Sequence, residues 1–202
     1  MNNGFTTGLF ALSRGVRQGD PHSPYLFNIA LETLATKIRE DDGIKGITIR
    51  DEPVKLSLFA DDMTCFIKDS SSYTNLFVTL KTFGECSGLK INNEKTAALA
   101  LGNGRSLWEG PHSDLPNRCN TIKILGVYFG YGAKQRDELN FRNTLKSLKK
   151  TINLWKQRGL SLLGRIQIIK TFAIPKLTYR ASVLPISIDL IKEADSLFYY
   201  FI

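Results

Sequence analysis

Cysteine is scarce in this chain. Cys65, Cys86 and Cys119 are its three in 202 residues. An odd number without metal-ligand spacing argues against a disulfide-stapled scaffold and a structural zinc site, and leaves reduced thiols of an intracellular protein. Cys65 falls in an apolar run and reads as a core residue. Long apolar stretches are missing too. None approaches the eighteen residues of a membrane-spanning helix, so no membrane span is expected. The first twenty residues put no basic segment ahead of an apolar run, which argues against a secretory signal. Repeats and low-complexity tracts are lacking, which excludes solenoids and fibrous arrays. Acidic residues are thin in one half only. Residues 1–100 hold 11 Lys/Arg against 12 Asp/Glu, whereas residues 101–202 hold 16 against 7. Between Lys134 and Arg180, 12 basic residues face only Asp137 and Glu138. A basic half beside a near-neutral half points to a polyanion, with nucleic acid the best fit and a merely solvated basic face the alternative.

What is present is a globular composition, 43% hydrophobic and 23% charged. The chain is organised around Val54–Ile67, VKLSLFADDMTCFI. Two short apolar runs flank Ala60-Asp61-Asp62 and read as a hairpin with both strands in a core and two carboxylates at the tip. An Asp-Asp turn is ordinary taken alone, because Asp bonds its own backbone. Carboxylates on a buried hairpin, however, need a cationic partner, and a hard divalent ion such as Mg²⁺ or Mn²⁺ suits oxygen ligands.

Upstream, Gly15-Val16-Arg17-Gln18-Gly19-Asp20-Pro21-His22-Ser23-Pro24 forms a loop of demanding backbone geometry. Ser23 is the expected N-cap and Pro24 the first position of a helix with Leu26, Ala30, Leu34 and Ile38 on one face, running to about Arg39. That would set Arg17 and Gln18 before a helix N-terminus, where phosphate binds favourably. Phe5–Leu12 has weak strand character, as does Ile44–Ile49, with Asp51-Glu52-Pro53 expected as the turn after it. Asp69–Ser72 caps a second helix, which buries Leu76, Leu80 and Phe83 and stops at Gly88. Lys95 follows an Asn-Asn turn and is either a surface lysine or one that reaches a neighbouring site. Ala97–Leu101 reads as a strand, Gly102–Cys119 as a loop, and Ile122–Tyr128 as a strand interrupted by Gly126. Phe141, Leu145, Leu148, Ile152 and Trp155 then mark an amphipathic helix. Leu162, Ile166, Ile169 and Phe172 mark another, bent or ended near Pro175, and a last helix follows Ser187 or Asp189.

The segments GVRQGDPHSPYLFN, FADD, GLKINNEKT and ILGVYFG, in this order, resemble four successive motifs of the reverse transcriptase palm. The tail LWKQRGLSLLGRIQIIKTFAIPKLTY resembles the thumb region of reverse transcriptases of non-LTR retrotransposons, the LINE class. FADD alone is weak; with the other motifs at these positions it is specific, and the resemblance covers essentially the whole chain. It implies an α+β fold: residues 1–133 as a partial palm, an antiparallel sheet with packed helices, and residues 134–202 as a basic, all-α thumb-like region. The implied activity is RNA-directed DNA polymerisation by two-metal nucleotidyl transfer, copying RNA into DNA during retrotransposition.

By this resemblance, Asp61 and Asp62 are catalytic carboxylates and ligands for Mg²⁺ or Mn²⁺, Asp61 the surer of the two. Arg17, Gln18, Gly19, Phe59 and Ala60 line the nucleotide and template pocket. Lys95, with Lys90 as the alternative, assists the leaving pyrophosphate. Lys146, Lys149, Lys150, Lys156, Arg158, Arg165 and Lys170 hold the phosphates of the RNA template and DNA primer, and deoxynucleoside triphosphates are the substrates. Nucleus and cytoplasm both suit such a protein. His22 departs from the family, which usually has an apolar residue there. The family also uses an aspartate several dozen residues upstream of the Gln18-Gly19 loop. Only fourteen residues precede Gly15, without Asp or Glu. The expectation is therefore a C-terminal palm-plus-thumb piece, inactive alone, lacking the fingers and endonuclease regions of the intact polyprotein and probing poorly soluble through an open apolar edge. The alternative is a non-catalytic nucleic-acid-binding remnant of a mobile element.

Overall fold

The computed structural model describes residues 15–102 and 118–202. Two compact units emerge: Met1–Thr96 with Ala100–Asn117, and Ala97–Leu99 with Arg118–Ile202. Both mix helices with small antiparallel sheets.

The first unit begins with α1, Ser23–Glu40. Its N-cap is His22 rather than Ser23. The Ser23 hydroxyl donates instead to the Arg17 carbonyl at 2.6 Å, and the Asp20 carboxylate accepts from the His22 N–H at 2.8 Å. The loop thus closes on itself and takes the hydroxyl that would have capped the helix. The anticipated apolar stripe holds only in the second half of α1, where Leu34, Ala35 and Ile38 are buried. Leu26 is exposed beside Tyr25 and Ile29, so the first two turns carry an open apolar face.

Strands β1 (Ile47–Ile49) and β2 (Glu52–Val54) pair with Ile49 opposite Glu52. The turn is Arg50-Asp51, both at positive φ, and not Asp51-Glu52-Pro53. A two-residue hairpin loop favours this backbone because its twist matches that of the strands, and Pro53 sits in a strand with no second partner among the described residues. Strands β3 (Leu56–Phe59) and β4 (Asp62–Cys65) form the second hairpin. Helix α2, Ser70–Ser87, packs with α1. Leu34, Ile38, Ile44, Leu76 and Leu80 make the core, with Leu56, Met63, Cys65 and Phe83 against it. Gly84 is required there, since a Cβ would stand 2.7 Å from the Leu89 carbonyl.

Asp69 caps α2, accepting from the Ser72 N–H at 2.8 Å and the Ser71 hydroxyl at 2.9 Å. Hydrogen bonds from Ser72, side chain and then backbone, with help from Ser71 and Lys45, lower its carboxyl to about 2. A depressed carboxyl contributes stability above its ordinary range and loses it as pH falls through the folded value. Asp69→Ala should therefore cost about 1 kcal/mol at pH 7. The difference from the parent chain should shrink between pH 4 and pH 2, read by urea unfolding at each pH; a difference constant to pH 2 would refute the cap's charge.

In the second unit, β5 (Thr121–Ile124) and β6 (Val127–Gly130) join through Leu125-Gly126, both at positive φ. Among the described residues the strands thus pair as three two-stranded ribbons. Ala97–Leu101 contributes only the bridge Ala98–Arg118, and the expected strand in Phe5–Leu12 and most of the expected loop Gly102–Cys119 lie outside the described residues. Next come α3 (Ala133–Asp137), a π turn (Glu138–Arg142) and α4 (Asn143–Lys156). Then follow α5 (Leu162–Ile168), a second π turn (Ile169–Ala173), α6 (Ile174–Ala181) and α7 (Ile188–Phe201). Ser161 caps α5, and Ser187, one of the two anticipated starts, caps α7. The second π turn admits Pro175, whose ring cannot continue a regular helix. Its extra residue also shifts the buried stripe to Ile169, Ala173 and Leu177, leaving Phe172 exposed where simple periodicity had placed it inside; Leu162, the first residue of α5, is exposed as well.

Composition changes at 133/134, yet the ribbon β5–β6 packs with the helices that follow. Val127 belongs to one core with Phe141, Leu145, Leu148, Ile152, Leu177 and Phe201, and Phe129 lies against it. Asn140, fully buried in the first π turn, accepts from the Tyr128 N–H and donates to the Tyr128 carbonyl, both at 2.8 Å, and donates to the Arg136 carbonyl at 2.9 Å. It serves as a third strand for β6. No described helix is long and apolar enough to cross a membrane.

Candidate active site

The β3–β4 register settles where the carboxylates stand. Phe59 pairs with Asp62, so Ala60-Asp61 is the two-residue turn. Alternation puts Leu56, Leu58, Met63 and Cys65 on the inner face and Ser57, Phe59 and Asp62 on the outer one. The hairpin is therefore half-buried, not the core hairpin anticipated: Phe59 is 66% exposed and both aspartates lie at the surface. Ala60 holds φ at 51°, a left-handed backbone costing a non-glycine residue about 1 kcal/mol, so the tip is held bent by the strands around it. Burial pushes the Cys65 thiol up to about 11, which fits its place on the inner face as an unreactive core group.

The Arg17–Asp20 turn closes through the Asp20 N–H on the Arg17 carbonyl at 3.3 Å. Gly19, third in this turn, has φ of 89°, the position where such a turn demands glycine. A Cβ there would meet nothing within 4 Å. Arg17, Gln18 and Gly19 are all exposed. At the far side of α2, the Asn92 carbonyl accepts from the Thr96 N–H at 2.9 Å and the Thr96 hydroxyl at 2.8 Å, while its side chain accepts from the Glu94 and Lys95 N–H groups. This fixes the backbone under Lys95, and the Lys90 and Lys95 side chains are exposed.

Sequence reasoning missed Lys55. Its ammonium donates to the Arg39 and Asp41 carbonyls, both at 2.7 Å, at the C-terminal end of α1. Its own carbonyl accepts from the Phe66 N–H at 2.8 Å. One residue thus anchors the root of the carboxylate hairpin to the helix that begins at the Gln18-Gly19 loop. Nothing in the spacing marks it, since a lone Lys before a strand has no local signature. Lys55→Met should release this anchor and speed amide exchange in β3–β4 about tenfold or more, with Lys55→Arg closer to the parent chain. Unchanged exchange in the methionine variant would show that the anchor contributes nothing.

The basic residues of the second unit are not equivalent. Lys146 pairs with Glu138 at 2.6 Å. The Arg165 guanidinium donates to the Phe201 carbonyl at 3.1 Å and the Ile202 carbonyl at 3.3 Å, capping α7. Arg158 lies over the Trp155 ring and Lys156 over the Tyr200 ring. Lys149, Lys150 and Lys170 are exposed.

Asp61 and Asp62 are oxygen donors of the class that holds Mg²⁺ or Mn²⁺. Among the described residues, however, no group of three or more His, Cys, Asp or Glu converges as a metal site. Two adjacent surface carboxylates, one on a turn and one on a strand face, have the right chemistry but do not enclose an ion.

Residues 1–129 match the family model described as reverse transcriptase (RNA-dependent DNA polymerase). Over 96% of its length the chain is 28% identical to a retrovirus-related Pol polyprotein from the type-1 retrotransposable element R2 of Popillia japonica, and 24% identical over the same share to a second such protein. Over 99% of its length it is 24% identical to the Pol polyprotein of the type-2 element R2DM of Drosophila melanogaster. The chain spans 32%, 28% and 19% of the lengths of these relatives.

Proposed function

The chain belongs to the reverse transcriptase family, and from that premise we propose that it supplies the carboxylate hairpin and the template–primer support of an RNA-directed DNA polymerase of a non-LTR, LINE-type retrotransposon. The observation that carries this reading is the β3–β4 tip, where the register sets Asp61 on a two-residue turn and Asp62 on the outward face beside Phe59. In the reaction, a primer 3′-hydroxyl attacks the α-phosphate of a deoxynucleoside triphosphate. A new phosphodiester bond forms, the α–β anhydride breaks and pyrophosphate leaves.

Asp61 and Asp62 do not by themselves hold a pair of ions, so this chain contributes part of a metal centre that further carboxylates complete. The exposed Arg17-Gln18-Gly19 turn offers backbone and guanidinium to the incoming nucleotide and template, and Phe59 and Ala60 are assigned to the same pocket. Lys95, or Lys90 in its place, offers a cation to the departing phosphates. The exposed lysines of the second unit neutralise backbone phosphate without reading sequence. The partial palm and thumb of residues 1–133 and 134–202 remain our assignment for these two roles.

The test is incorporation of a labelled deoxynucleotide on a primed RNA template by the protein made from its complete open reading frame. Incorporation that depends on Asp61 supports the reading. Retained nucleic-acid binding without incorporation would replace it with a non-catalytic binding role.

A further inference from the structure

Tyr199 and Tyr200, adjacent on the last turn of α7, are among the most exposed large side chains described, at 87% and 65%. The turn that presents them is not loose. Phe201, next in sequence, is fully buried in the core of the second unit, and Arg165 of α5 caps the Phe201 and Ile202 carbonyls. The Lys156 ammonium stands 3.5 Å from the centroid of the Tyr200 ring. Lys156 and Lys149 together hold the Tyr200 hydroxyl below its ordinary range, Lys156 by hydrogen bond and charge and Lys149 by charge. Both lysines lie on α4, two turns apart or about 10 Å along its axis. The carboxylates of α7, Asp189, Glu193 and Asp195, all precede Ser196. Tyr200 therefore has Ser196 one turn before it and cations beside it, while Asp195 stands one turn before Tyr199.

The Tyr200 ring thus carries a cation on one face while most of its surface meets solvent. Cationic side chains seven residues apart beside a rigid aromatic surface match a single strand, whose bases stack while its phosphates are neutralised. A duplex, whose bases are already stacked on one another, would engage the lysines and leave the rings unused. We propose that Tyr200, with Tyr199 beside it, stacks on an unpaired base of a single-stranded nucleic acid whose flanking phosphates are held by Lys149 and Lys156. This is a contact separate from the carboxylate hairpin, and it stands or falls without any polymerase activity.

The test is fluorescence anisotropy of the unmodified chain and its variants with a labelled oligo(dT) of about twelve nucleotides, at several salt concentrations and without nucleotide or divalent ion. Tyr200→Leu should weaken binding about 5- to 100-fold with the salt slope unchanged, because stacking releases no counterions. Tyr200→Phe should keep most of the affinity. Lys156→Gln should weaken binding and lower the slope of log affinity against log salt by about 0.7. Affinity unaffected by Tyr200→Leu, or lost equally on a blunt duplex, overturns the proposal. So does photocrosslinking of a 4-thiothymidine oligomer to the parent chain that maps away from Tyr199 and Tyr200, a measurement that needs no variant to fold.

Discussion

Asp61→Asn should lower nucleotide incorporation by about 10²–10³-fold in the complete protein while leaving its affinity for primed template nearly unchanged. The substitution keeps size and turn propensity, since Asn also tolerates the hairpin tip, but removes the charge that would hold a hard cation against the reacting phosphate. Asp62→Asn should cost less. Asp62 stands on the outer face of a strand, paired across from Phe59, whereas Asp61 occupies the turn itself. Single-turnover incorporation with saturating template separates chemistry from binding. If both variants retain full activity, the hairpin is not the catalytic element. If both lose template affinity in parallel with rate, its carboxylates shape the fold and not the reaction. Because both groups are at the surface, the folded chain should tolerate either change, with unfolding midpoints within about 0.5 kcal/mol of the parent.

Asn140→Leu should destabilise the second unit by about 2–4 kcal/mol, since it removes three hydrogen bonds of a fully buried amide, one from the Tyr128 N–H and two to the Tyr128 and Arg136 carbonyls. That is a large part of the stability of an ordinary domain. Asn140→Asp tests the same clamp by charge. The introduced carboxyl can accept from the Tyr128 N–H, but at neutral pH it faces two carbonyl oxygens it cannot bond. Its folded pKa should therefore rise, so this variant should be more stable near pH 4 than at pH 7, opposite in sign to the capping aspartate Asp69. Trp155, which packs against the core of this unit, reports the transition once Trp108→Phe removes the other tryptophan. Leucine and aspartate variants as stable as the parent would show that β6 docks through Val127 and Phe129 alone.

The Asp61-Asp62 pair between apolar runs, the glycine-rich loop before a proline-started helix and the late basic helices were legible in the sequence because each depends on local rules: turn residues, capping and period. The helices at 70–87, 143–156 and 188–201 followed from the same rules, as did the cap Asp69 and, of two candidates, the cap Ser187. The family match over residues 1–129 agrees with the motifs on which the resemblance rested.

What failed were inferences needing a partner distant in sequence. Leu26 satisfies the helical period of α1 yet is exposed, because burial requires something packed above it. Phe172 fits a regular helix and stands outside because the π turn adds a residue, which periodicity cannot register. Ser23 has the chemistry of a cap but gives its hydroxyl to Arg17 instead. Lys55 and Asn140 had no signature, since each acts on backbone groups 12 to 16 residues away. By itself, then, the sequence determined which residue types could do chemistry, where turns and helices would begin, and which half carries the excess of basic residues. Only tertiary structure decided which face of the carboxylate hairpin is covered, what anchors its root, which cations are already engaged, and that β5–β6 joins the helices after it. Those outcomes depend on contacts between separate segments, whose energies no local pattern of residues contains.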